Sequence, residues 1–127
     1  MKTYNDLEIW KKGVDFVVKV YDITKSFPKD EIYGITNQMR RAAVSIPSNI
    51  AEGSGRNSNK EFVHFLYISY GSCLELETQI LISERLGLLG KDKKDAMLVN
   101  ILELRKMISG LIKVLKEQKE QKEQKEQ

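Results

Sequence analysis

Met39–Arg56, MRRAAVSIPSNIAEGSGR, is the stretch whose reading decides the fold. Taken as one helix, it places Met39, Ala42, Ala43, Ile46 and Ile50 on one side, at the three- and four-residue steps of a helical face. Arg41, Ser45, Ser48 and Glu52 follow one another at steps of four, three and four, a polar stripe that has to meet water or a partner. Pro47 sits inside the pattern, where it removes the hydrogen bond to the Ala43 carbonyl and crowds the preceding turn, so a kink is expected. No good N-cap stands directly before it, and the segment therefore reads as one bent helix and not two. Gly53 and Gly55 end it.

Working outward, Ser58 followed by Glu61 gives a capping box that starts a third helix, from about Asn59 to Leu86. Its broad apolar side carries Phe62, Phe65, Leu66, Tyr70, Cys73, Leu76, Ile80 and Leu81. Glu77 and Glu84 project into that side, where a carboxylate needs a cationic or amide partner. Gly87 and Gly90 close the helix, and Asp92 is placed to cap the next. Helix four shows a heptad-like seam of Met97, Ile101, Leu104, Ile108, Leu111 and Leu115, with Lys and Arg outside.

In the other direction, helix two begins near Tyr33, and Phe27–Asp30 form the turn before it, broken by Pro28. The first helix is expected from about Asn5 to Ser26, with Thr3 or Asn5 as cap and Asp6 and Glu8 near its positive end. Leu7, Trp10, Val14, Val17 and Tyr21 form one apolar stripe, and Ile9, Phe16, Val20 and Ile23 a second beside it. Together they span roughly 220°, against the ~100° or somewhat more that one core requires. That surplus, with the wide apolar arc of helix three, argues for self-association.

The chain thus reads as all-α, an up-down-up-down four-helix bundle over residues 1–115, bent at Pro47 and assembling as a cyclic homo-oligomer. Residues 116–127 repeat Lys-Glu-Gln, with i,i+4 pairs in the weaker Lys-to-Glu order, and are expected as a frayed helix or disorder. One domain suits 127 residues that are 41% hydrophobic with two prolines, and a net charge of +3 leans only weakly towards anionic partners. A single cysteine excludes an internal disulfide and fits a reducing cytoplasm. No signal peptide and no membrane span are read in the sequence, so a soluble cytoplasmic protein is expected.

MRRAAVSIPSNIAEGSGR closely resembles the signature of the small four-helix-bundle proteins encoded within 23S rRNA intervening sequences, also labelled S23 ribosomal proteins. The resemblance runs from about Asp6 to Leu89 and includes DLEIW, FPKDEIYGIT and KEFVHFLYISYGSCLELE. It implies a four-helix bundle, a homo-oligomer that is typically pentameric, and a role with nucleic acid. A related group accompanies reverse transcriptases in diversity-generating retroelements and forms a basic pentameric barrel.

Catalysis lacks its parts: there is one His and one Cys, and no metal-ligand spacing or nucleophile elbow. No enzyme activity, cofactor or metal is expected. His64 reads as solvated surface and Cys73 as core. Gly53-Ser54-Gly55-Arg56 follows a helix and lacks the Gly-Lys-Ser/Thr ending, so it is not a P-loop; it is either a plain connection or, with Arg56, a holder of one RNA phosphate.

The candidate nucleic-acid contacts are Arg56, Arg40, Arg41 and Lys60, with one of Arg40 and Arg41 expected to pair with Glu77 and Arg56 left for an external phosphate. Glu77, Glu84, Asn49, Glu52, Ser45 and Pro47 are read as structural, Asn49 as an amide serving backbone groups freed near Pro47. The expected function is a non-catalytic oligomeric bundle that binds RNA. The alternative is a structural adaptor that docks a protein such as a polymerase or reverse transcriptase.

Overall fold

Proline, glycine and a serine cap cut the chain where its periodicity breaks, and the pieces between become helices. The computed structural model describes Tyr4 and residues 7–126, with side chains described through Gln118. Its helices are α1 (Glu8–Thr24), α2 (Ile35–Ser54), α3 (Asn59–Arg85) and α4 (Lys91–Glu126), and no strand occurs among the described residues. A short 3-10 turn at Lys29–Glu31 precedes α2, so that helix starts at Ile35 and not at Tyr33.

The starts and stops have local causes. At the head of α3 the Ser58 hydroxyl accepts from the Glu61 N–H at 3.2 Å, which satisfies one of the helix's orphan donors. The tail of α3 closes as a Schellman motif: Leu88 N–H donates to the Ser83 carbonyl and Gly87 N–H to that of Glu84, both at 2.9 Å. Gly87 has φ +75°, which a side chain would strain. Leu7 occupies the cap position of α1 and offers no side-chain hydrogen bond, while Thr3 and Asn5 lie outside the described residues. Asp92 falls inside the first turn of α4, which begins two residues earlier than a cap there would require.

Each helix packs on its neighbour in sequence, and α4 returns to α1 to close the ring. Neighbours are antiparallel, as cross-helix pairs show. Thr24 meets Arg40 and Gly13 meets Pro47 between α1 and α2; Met39 meets Ser83 and Ile46 meets Ser69 between α2 and α3. Between α3 and α4, Tyr67 meets Lys116, Glu77 meets Arg105 and Glu84 meets Lys94. The short connections make that arrangement natural.

The core is one cluster. Ile9, Phe16 and Val20 come from α1; Met39, Ala42, Ala43, Ile46 and Ile50 from α2; Leu66, Cys73, Leu76 and Ile80 from α3; and Met97, Ile101, Leu104, Ile108 and Leu115 from α4. The second stripe of α1 is therefore the core stripe, and Leu7, Trp10 and Val17 of the first are only partly covered. On α3 the buried face is turned from the expected one: Leu81 is exposed, while Val63, Ser69, Ser72, Gln79 and Ser83 are buried. On α4, Ile112 is buried where Leu111 is only partly so. The last core residue is Leu115, yet α4 continues as helix through the Lys-Glu-Gln repeat to Glu126.

Pro47 lies within α2 and does not break it. The pyrrolidine ring is buried against α1, where a Cβ at Gly13 would come within 3.3 Å of Pro47 Cβ. Gly53 allows a similar approach to α3, since a Cβ there would lie 2.8 Å from Phe65 Cβ and 2.9 Å from Phe62 Cδ1.

Candidate functional site

The polar stripe of α2 faces outward and forms one side of an open groove. Asn37, Arg40, Arg41, Val44, Ser45, Ser48 and Asn49 line it from α2, Tyr21 from α1, and Ile32 from the loop before α2. None of these side chains is a carboxylate.

Each polar group in the groove is held differently. Arg40 donates from Nε to Thr24 Oγ1 at 2.9 Å, and its guanidinium carbon lies 4.6 Å from the Tyr21 ring centroid. Thr24 is buried and passes its own proton to the Val20 carbonyl at 2.7 Å, so its oxygen is fixed as the acceptor for Arg40. This arrangement orients the guanidinium by one hydrogen bond and one cation–π contact and, among the described residues, leaves its two terminal nitrogens without a partner. Arg41 is exposed and makes no ion pair among the described residues. Asn49 donates from Nδ2 to the Ser45 carbonyl at 2.8 Å and to Ser45 Oγ at 2.9 Å, with Pro47 two residues from each. Ser45 Oγ also meets Ser72 Oγ of α3 at 2.8 Å.

The ion pairs differ from the expected set. Glu77 is bound by Arg105 of α4, Nη1 to Oε2 at 3.2 Å, and not by Arg40 or Arg41, because α3 turns that flank towards α4 and away from α2. Arg105 also donates to the Tyr70 hydroxyl at 3.2 Å, and that bond, aided by Glu77, holds its pKa above the ordinary value. Glu84 pairs with Lys94 at 2.9 Å, and Asp95 adds a second carboxylate at 3.0 Å. The hydrogen bond to Glu84, followed by that to Asp95, raises the Lys94 pKa.

Arg56 has a local partner after all: it pairs with Glu52 one turn earlier and lies 4.8 Å over the Phe65 ring. The signal was in the sequence, since a Glu four residues before an Arg is the favourable order on a helix, although α2 ends at Ser54 and Arg56 reaches back to Glu52 from the turn beyond it. Lys60 is exposed at the head of α3. The groove thus brings Arg40 and Arg41 together and leaves Arg56 and Lys60 outside it, in the turn beyond α2 and the first turn of α3.

Elsewhere the chemistry is quiet. His64 is exposed and packs edge-on against Phe65. Cys73 is fully buried, and burial pushes its thiol pKa up from 9.0 to about 12, so it stays protonated at neutral pH. Among the described residues, no three His, Cys, Asp or Glu side chains converge as a metal site needs, and no helix is long and apolar enough to cross a membrane.

The family comparison rests on most of this architecture. The pattern of the 23S rRNA-intervening sequence protein family matches residues 5–110, from the start of α1 through most of α4. The chain belongs to that family. A member of the S23 ribosomal protein family from Bacteroides thetaiotaomicron VPI-5482, a protein of unknown function, has a similar solved structure, with a TM-score of 0.75 at 20% identity. The similarity covers 83% of this chain and 98% of that one, and at this identity it speaks for the shared fold. No curated protein matches the chain. The matched segment of this 23S rRNA-intervening sequence protein family member includes every residue of the α2 groove and stops short of the Lys-Glu-Gln repeat.

Proposed function

We propose that this chain is a non-catalytic, cytoplasmic RNA-binding bundle that works as a homo-oligomer. The observation that carries the reading is the groove on α2, where two adjacent arginines stand with no carboxylate among the lining side chains. By contrast, Arg56, Arg105, Lys12 and Lys94 are each neutralised by a Glu. Arginine without an internal counter-charge is suited to phosphate, whose oxygens match its planar donors. The family's name ties it to an intervening sequence of 23S rRNA, which favours RNA as the anion.

Self-association is supported by apolar side chains on opposite sides of the ring of helices. Val18 is exposed on α1, and Ile68, Leu74, Leu81 and Ile82 on α3. A cyclic arrangement would cover both faces without leaving an open end, and the resemblance favours five copies. A bend at Pro47 belongs to the same reading. The apolar face of α3 also favours a second role, an adaptor that docks a protein partner.

A filter-binding titration of the full chain against RNA at two salt concentrations tests the first reading. Affinity should fall steeply with salt, because each phosphate contact releases condensed counterions. Negligible, salt-insensitive binding would reject it in favour of the adaptor. Light scattering at micromolar concentration should return a multiple of the 14.6 kDa chain mass.

A further inference from the structure

RNA offers two different targets to a basic groove, the regular backbone of a duplex and the unpaired bases of a single strand. The side chains on α2 distinguish them. A duplex is held by cations spaced across its grooves, with its bases stacked out of reach. The α2 groove has instead one short row of cationic and amide groups along a single helix, running from Asn37 to Asn49, roughly 18 Å at the α-helical rise. That length accommodates a few nucleotides of one strand.

Within this row the groups differ in kind. The Arg40 guanidinium lies over the Tyr21 ring, its carbon 4.6 Å from the centroid, and the bond to Thr24 Oγ1 fixes its orientation. Planar guanidinium and aromatic groups are the surfaces on which an unpaired base stacks. Ile32 and Val44 supply apolar walls beside it, both exposed. Asn49 spends its amide N–H groups on Ser45, which leaves its side-chain carbonyl to accept from a base edge, and exposed Asn37 offers both amide functions. Arg41, one residue along the helix and turned about 100° from Arg40, is the group for the adjoining phosphate.

We infer that the α2 groove binds an unpaired segment of RNA, with a base stacked on the Tyr21–Arg40 pair and a neighbouring phosphate on Arg41. This rests on the RNA-binding reading above and goes further, by naming the site and the single-stranded class of substrate. The amides and the stacking pair have no use for a duplex, whereas each of them has a partner on an unpaired nucleotide.

The test is fluorescence anisotropy of the full chain with a labelled twelve-nucleotide RNA of mixed sequence, free and annealed to its complement. The single strand should bind roughly tenfold or more tightly than the duplex. Arg41→Ala should weaken single-strand binding and lower the salt slope by about one. Tyr21→Leu, which keeps an apolar side chain at a half-exposed position, should weaken single-strand binding and leave the salt slope unchanged, because it removes a stacking surface and no charge. Thermal melts of both variants check that the bundle persists, and Arg41→Ala is at an exposed position that makes no ion pair among the described residues.

Equal affinity for the duplex would overturn the single-strand assignment. Binding that survives Arg41→Ala and Tyr21→Leu unchanged would overturn the site and leave the RNA-binding reading intact. Absence of binding by the unaltered chain to either RNA would reject that reading itself, and the inference with it.

Discussion

Where α2 meets α3, each of these contacts has a small residue on at least one side: Ser45 against Ser72, the Ile46 carbonyl against Ser69, Gly53 against Phe62 and Phe65. Where α1 meets α4, they are long and charged. Lys12 reaches Glu103 across a polar hollow that Asp15, Lys19 and Asn100 also line, with Phe16 and Leu104 among them. The first seam is extensive and the second sparse. Small side chains let two backbones approach closely and gather dispersion contacts along their whole length, whereas a solvated ion pair gains little beyond its own entropy cost. The bundle is therefore stabilised mainly along α2–α3, and its closure is the weaker contact.

That contrast can be broken by substitution, and the largest effect is expected at the core of the tight seam. Ile46→Ala should cost about 2–5 kcal/mol in urea unfolding, since Ile46 is almost fully buried and its backbone is held by Ser69. A loss below that range would mean the seam can collapse around the cavity. Gly53→Ala should come next, at about 1–3 kcal/mol, because the added Cβ would press on Phe65 Cβ and on the Phe62 backbone, neither of which is a flexible tip. Its counterpart is Gly110→Ala on α4, where a Cβ meets open space, and there thermal stability should rise by up to about 1 kcal/mol. If both glycine variants shifted in the same direction, close approach would not be what distinguishes them.

Two smaller effects sharpen the comparison. Glu77→Ala leaves Arg105 with Tyr70 at a site where both ionic side chains are about a third exposed, so roughly 1 kcal/mol is expected. Lys12→Ala should cost less than about 1 kcal/mol by the same measurement, and raising the salt should shrink the difference further. A larger loss at Lys12 than at Ile46 would reverse the ranking of the two seams.

The sequence made the elements legible and hid their partners. Pro28, Gly53, the Ser58–Glu61 pair and Gly87 are local signals, and each stands at or beside an observed helix boundary. Helical spacing alone puts Glu77 beside Cys73 and Ile80, and the structure places it half-buried at the margin of that face. Which helix would answer it was not legible, because Arg105 lies 28 residues away and periodicity carries no information about the neighbouring wall. The burial of the α3 serines carries no apolar signal: Ser69, Ser72 and Ser83 are polar by composition, yet a seam of closely packed helices prefers their small volume and satisfies their hydroxyls on nearby carbonyls or side chains. Of the candidate site, the stripe of Arg41, Ser45 and Ser48 was visible from spacing. The contributions of Tyr21 and Ile32 came only with the placement of α1 and the loop beside α2.

The α1–α4 seam joins the first helix of the chain to the last, and Lys12 and Glu103 are 91 residues apart. The α2–α3 hairpin, by contrast, closes across a connection of residues 55–58. Loop closure is cheap for the second and costly for the first, so folding should nucleate on the hairpin and seal the bundle last. During synthesis the first three helices would then stand for a time with the flank that awaits α4 uncovered, a sticky intermediate that lasts until the final helix emerges. In refolding kinetics, substitutions at Ser69 or Ile46 should slow folding, while those at Lys12 should act mainly on the unfolding rate.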